Sequence, residues 1–157
     1  MVRKNRPFDI SEITDQLYVS EKPKSKDVEV INKIGIDIVI HMIWQRPAKD
    51  LKKPPFKMVE MITVDTPLTP IPIKKLERGV RAALPVIDGG GKVLVYCKRG
   101  VHRSVAMASC ILIARGLSSN EAMDLIKSKR SIAQPETSYI KSRIIKFEKY
   151  WNDKKAR

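Results

Sequence analysis

Histidine, cysteine and aromatic residues are all scarce in this chain, and each scarcity excludes a class of protein. Two cysteines in 157 residues cannot build the disulfide framework on which small secreted domains depend. The two histidines, His41 and His102, stand without cysteine or carboxylate partners at coordinating intervals, so neither a metal nor any other cofactor is expected. Aromatics make up 6% of the residues and do not interleave with the basic ones, unlike the stacking platform of a single-strand nucleic-acid binder. The longest apolar runs are about ten residues, too short to span a bilayer. The opening stretch, MVRKNRPFDI, has no apolar core of a secretory signal. Acidic side chains are also few, 17 against 31 Lys and Arg, for a formal net charge of +14.

What is present is ordinary globular material: 43% apolar residues in a length suited to one good core. A single domain is expected over residues 1–157, with its core at 8–151, a basic N-terminal arm carrying Arg3, Lys4 and Arg6, and a C-terminal tail. The charge favours anionic partners: phosphorylated proteins, inositol phosphates, anionic lipid headgroups or nucleic acid. Cysteines without a disulfide framework fit a reducing compartment, so an intracellular, cytoplasmic monomer is expected.

The informative stretch is KVLVYCKRGVHRSVAMASCILIARG, residues 92–116. Its β-branched start is of strand type and breaks at Cys97. Six residues later Arg103 and Ser104 open a small-residue and apolar segment suited to a buried helix, with Gly116 as its stop. The intervening loop, Lys98-Arg99-Gly100-Val101-His102, is built to cradle a phosphate. A tight loop entering a helix turns successive N–H groups inward, and the helix dipole adds partial positive charge. Gly100 permits the backbone conformation this needs, and Arg103 offers a planar pair of donors to two oxygens. At the floor, Cys97 is acidified and becomes a nucleophile in place.

Around this stretch the pattern reads β-β-α-β-β-α-β-α-α-α. Residues 10–20 give two short strands about an Asp15-Gln16 turn, and residues 27–34 a helix stopped by Gly35. The apolar run 36–44, IDIVIHMIW, is the best central strand, with His41 as a core histidine. Residues 45–57 hold three prolines and five basic residues and read as a loop. The strand at 58–64, MVEMITV, delivers Asp65 into a proline-stiffened loop. Helix 73–87 has Pro85 to kink its last turn, and Ser118 with Glu121 makes a capping box for a helix running to 129. Pro135 suits the first turn of a final helix whose Tyr139, Ile140, Ile144, Phe147 and Trp151 share one face.

Phosphoryl transfer to a thiolate needs an acid to protonate the leaving oxygen, worth about 10²–10⁴-fold. The aspartates on loops are Asp37, Asp50, Asp65 and Asp88. Asp65 leads because it follows a buried strand and begins a stiff loop.

Residues 97–104, CKRGVHRS, resemble the C-x5-R-[S/T] loop of the cysteine-dependent protein tyrosine phosphatases. The small size and the order of segments resemble their compact dual-specificity branch. The resemblance implies an α/β fold with a central mixed four- or five-stranded sheet flanked by helices. It implies Cys97 as nucleophile, Arg103 and the loop 98–102 as phosphate binders, and Asp65 as general acid, at about the usual separation of 32 residues. It also implies Ser104 as the hydrogen-bond donor that eases departure of the sulfur. The expected activity is that of a tyrosine or dual-specificity protein phosphatase without a metal. The cationic loop, with Lys98, Arg99 and His102, leaves a polyanionic substrate (phosphoinositide, inositol phosphate or RNA 5′-triphosphate) as an alternative, and a non-catalytic phosphoresidue-binding module as a third. Tyr96 stands where the family usually has histidine, Cys110 is read as a core residue, and Gln134 is a weak candidate for a water-positioning glutamine.

Overall fold

The computed structural model describes residues 6–156, so Arg3 and Lys4 of the basic arm lie outside the described residues. The elements follow the expected order: β1 (Ile10–Thr14), β2 (Leu17–Ser20), α1 (Val28–Ile34), β3 (Ile38–His41), β4 (Lys57–Glu60), α2 (Ile73–Asp88), β5 (Val93–Tyr96), α3 (Arg103–Ala114), α4 (Ser119–Lys129) and α5 (Ser138–Lys155). They form one mixed five-stranded sheet in the order β1-β2-β5-β3-β4. Only β1 runs antiparallel to its neighbour, joined to β2 through a tight turn. The parallel strands are in register so that Ser20 and His41 both flank Tyr96. Three strand ends therefore open on one edge, where parallel sheets place their ligands.

The buried strands β2, β3 and β5 carry near-continuous apolar runs, as parallel strands covered on both faces must. α2 packs on β3 and β5, α3 on β2 and β5, and α4 on β1, while α5 lies over α2, α3 and α4. Sandwiched in this way, α3 is buried from Arg103 to Ile113. Its small residues Ala106, Ala108 and Ser109 allow that closeness. On α5 the predicted stripe is buried at Ile140, Ile144, Phe147 and Trp151, the last two rings stacked at 5.6 Å. Each large apolar side chain so buried contributes about 1.5–3 kcal/mol.

Local signals explain most boundaries. Gly35 ends α1 in the left-handed region at φ 89°, and its amide returns to Asn32 O. The Ser118–Glu121 box forms in both directions, at 3.1 and 2.9 Å. Four expectations need correction. The central strand is limited to Ile38–His41, because Met42 and Ile43, though fully buried, leave the ladder. β4 starts inside the expected loop and ends at Glu60. As an edge strand its backbone has one neighbour, and residues 61–64 run on irregularly, tethered by Met61 N to His41 O at 2.7 Å and Thr63 N to Met42 O at 3.1 Å. α2 runs through Pro85 as expected but ends at Asp88, one residue later, since a proline in the last turn forfeits only one bond. Pro135 lies outside the last helix, which begins after Thr137. Among the described residues no helix is long and apolar enough to cross a membrane.

Candidate active site

Cys97 leaves β5 at the open edge, and the loop that follows turns back over its sulfur. The Gly100 amide donates to Sγ at 3.3 Å, and Ser104 Oγ lies 3.2 Å from it. Gly100 is at φ 71°, and a Cβ there would sit 2.7 Å from Ser20 O, a backbone atom of β2 that cannot step aside. Burial alone would push the Cys97 thiol up. Hydrogen bonds from Ser104 and Gly100, with the Arg103 charge, outweigh it and hold the thiol below its ordinary range. Burial without such donors pushes Cys110, on α3, well above it. Iodoacetamide is therefore expected to modify Cys97 alone in the native protein, at a pH below the ordinary thiol value of about 8.5. Ser104→Ala is expected to move the midpoint of that reaction to higher pH. Peptide mapping against pH measures both, and equal labelling of the two cysteines would refute the assignment.

Asp65, Cys97, Lys98, Arg99, Val101, His102 and Arg103 line a cavity of about 140 Å³. Of the expected site residues, only Gly100 and Ser104 stand behind the sulfur rather than on the cavity wall. Arg103 is buried, and its Nη1 donates to Thr63 O at 3.0 Å. Its Nε has no acceptor among the described residues, an uncompensated donor beside an anion-sized space. The other aspartates are bonded elsewhere: Asp37 accepts from Lys92 N at 2.9 Å, Asp50 faces Lys53, and Asp88 faces Arg115.

Asp65 is held at both oxygens. Tyr139 donates its hydroxyl to Oδ1 at 2.7 Å, and His102 Nδ1 meets Oδ2 at 3.0 Å. Burial raises this carboxyl, but the Tyr139 and His102 bonds and the charges of His102 and Arg103 outweigh it and keep Asp65 below the usual carboxylate range. The far nitrogen of His102 meets Gln134 Oε1 at 3.2 Å and Thr137 Oγ1 at 3.3 Å. His102 thus lines the cavity while both its nitrogens bond to protein, and Gln134 reaches the site through that ring.

Sequence reasoning missed Thr63, Thr137, Tyr139, His41 as a partner of Tyr96, and above all Arg130. Arg130 is almost fully buried and supports the phosphate loop from behind. Its Nε donates to Gly100 O at 2.8 Å and Nη2 to Arg99 O at 3.0 Å. The guanidinium also forms a fork onto Asp9, with both bonds at 2.9 Å, and reaches Ser11. No signal marks it in a chain with 31 basic residues. The tyrosine that replaces the usual histidine has its hydroxyl on His41 Nδ1, with the rings edge-on at 5.1 Å. Burial raises Tyr96 and lowers His41, so both are neutral beneath the loop.

A mixed sheet that delivers a sulfur into an amide-lined loop, closed by an arginine at a helix start, defines the cysteine-dependent tyrosine phosphatase class. Residues 17–149 match the model described as dual specificity phosphatase, catalytic domain, and the chain belongs to that family. It is 25% identical over 134 residues to mouse dual specificity phosphatase 28, covering 85% of this chain and 80% of that protein. The human counterpart is 26% identical over the same length, with 85% and 74% covered. Among solved structures, a mouse putative dual specificity phosphatase complexed with zinc tungstate superposes with TM-score 0.85 at 23% identity, over 98% of this chain and 95% of that one. PTPMT1 in complex with PI(5)P gives 0.81 at 23% identity, over 92% and 97%. The chain is thus a cysteine-dependent tyrosine or dual-specificity phosphatase.

Proposed function

We propose that the chain removes phosphate from phosphotyrosine, and from phosphoserine or phosphothreonine, in proteins by two transfers through Cys97. The observation that carries this reading is the meeting of Asp65 and Cys97 on one small cavity although they stand 32 positions apart in the sequence. The Cys97 thiolate attacks phosphorus, and the S–P bond forms as the P–O bond to the leaving group breaks. Arg103 and the loop amides hold the equatorial oxygens, where charge accumulates. Asp65 protonates the leaving oxygen, then takes a proton from the water that hydrolyses the thiol-phosphate, while Ser104 donates to the departing sulfur. Val101, buried in the loop, shapes the cavity wall. The same reading assigns a reducing intracellular setting, where the nucleophile stays a thiolate.

A second substrate class is favoured by one observation: Lys98 and Arg99 both line the cavity, which suits a polyanion such as an inositol phospholipid or an RNA 5′-triphosphate. The presence of Cys97, Arg103 and Asp65 together on one cavity argues against a mere binding module.

The test uses Asp65→Asn. On a phosphotyrosine peptide, whose leaving group needs a proton, kcat is expected to fall about 10²–10³-fold. On p-nitrophenyl phosphate, whose leaving group departs more readily, the fall is expected to be smaller. Equal rates for variant and wild type on the peptide would refute the role of Asp65. Phosphothreonine peptide, phosphoinositide vesicles and triphosphate-ended RNA, run alongside, rank the substrates.

A further inference from the structure

The ring of His102 is held in an arrangement that the reaction above does not use. Nδ1 faces Asp65 Oδ2 at 3.0 Å, Nε2 faces the amide oxygen of Gln134 at 3.2 Å, and Thr137 Oγ1 stands 3.3 Å from Nε2. A carboxylate oxygen and an amide oxygen are acceptors only, and a ring that donates to both, with the Thr137 hydroxyl turned to accept beside Nε2, carries a proton on each nitrogen. The other oxygen of Asp65 already receives the Tyr139 hydroxyl. An acid whose two oxygens both accept hydrogen bonds is arranged as an anion, yet the first chemical step asks it for a proton.

We propose that His102 stores that proton: it is a positioning residue that acts through Asp65, and the two side chains share one transferable proton. This rests on the reading given under Proposed function and adds the route of the proton. As the thiolate attacks, the Nδ1–H bond breaks and an O–H bond forms on Asp65. That proton passes to the leaving oxygen as its bond to phosphorus breaks. In the second step water adds to phosphorus as the S–P bond breaks, and its proton returns to Asp65 and then to Nδ1. No oxidant, reductant or further reactant enters.

The charged and titratable groups facing the pair are few. From the phosphate loop come Cys97, Lys98 and Arg99, and Arg103 stands at the start of α3. Tyr139 faces it from α5, also 3.4 Å from Nδ1. Gln134 and Thr137, from the segment joining α4 to α5, are uncharged. Through them the ring links the phosphate loop, the acid-bearing loop after β4 and the last connection of the fold.

The test is the high-pH limb of kcat/KM for a phosphotyrosine peptide, compared between wild type and His102→Asn. Asparagine keeps a donor near the place of Nδ1 but holds no spare proton. If His102 stores the proton, the limb belongs to the pair in the wild type and to a lone carboxyl in the variant. It is then expected to move to lower pH by about one unit or more. A limb that stays in place means His102 only positions the carboxyl, and one that moves to higher pH means it only holds Asp65 ionised. Either result overturns the proposal.

A second measurement works without turnover. The chain has two histidines, so ring nitrogen resonances are assigned by His41→Asn and His102→Asn. In Cys97→Ser protein at neutral pH, His102 is expected to show two protonated nitrogens, and one after Asp65→Asn is added. A singly protonated ring beside an intact Asp65 would overturn the proposal. Failure of the wild type to hydrolyse any phosphomonoester would instead sink the function assigned above, and the resonances would still decide the state of the pair.

Discussion

Arg130→Ala is expected to cost about 3–5 kcal/mol of stability and, where the protein is still folded, most of its turnover. The guanidinium is almost wholly enclosed, and it makes five hydrogen bonds to two parts of the chain, residues 9–11 and 99–100. Truncation leaves the carbonyls of Arg99 and Gly100 with a lost donor, each worth about 1–3 kcal/mol when buried. The Asp9 end is partly open to water, side-chain exposure 34%, so water compensates there and the loss is concentrated at the loop. The loop amides and Cys97 then lose their fixed position, and turnover falls with them. Arg130→Lys is expected to recover little, because one ammonium cannot serve the fork onto Asp9 and two carbonyls together. Urea unfolding gives the stability and phosphopeptide hydrolysis the activity. A loss under about 1 kcal/mol with unchanged kcat would show that the loop holds its shape unaided.

Cys97→Ser is expected to lower kcat by at least about 10³-fold while leaving the fold and phosphate binding in place. A serine hydroxyl beside the same Ser104 and Gly100 donors stays protonated, so no anion waits beneath phosphorus. The oxyanion donors remain, since Arg103 and the loop amides do not depend on the sulfur. The variant should therefore still bind phosphopeptide measurably by calorimetry. Arg103→Lys is the complementary case: the charge survives but the planar pair of donors does not, and a loss of about 10²–10³-fold in kcat is expected. Cys97→Ser turnover within tenfold of wild type would exclude a covalent intermediate on this sulfur.

Much of the fold was legible because its signals are local. The capping box at Ser118, the stop at Gly35 and the stripe on α5 each lie within a few residues of what they control. Strand lengths were less legible: an apolar run such as 36–44 reports burial, and Met42 and Ile43 are as buried as the strand they follow. The loop 97–102 was legible for the same local reason, being one contiguous segment between a strand and a helix. Asp65 was the least legible of the residues on the cavity, since its strand ends four residues early and the tether of residues 61–63 to His41 and Met42 brings it there.

By itself, then, the sequence determined the strand–loop–helix that presents Cys97, the order of the elements and the basic character of the surface. Folding alone decided which distant groups support that loop. Arg130 behind it, His41 under Tyr96, and Tyr139 and His102 on Asp65 are set by strand register and helix packing. A single arginine, histidine or tyrosine carries no local signature of such a role, because the free energy of a buried polar contact belongs to the pair and not to either residue.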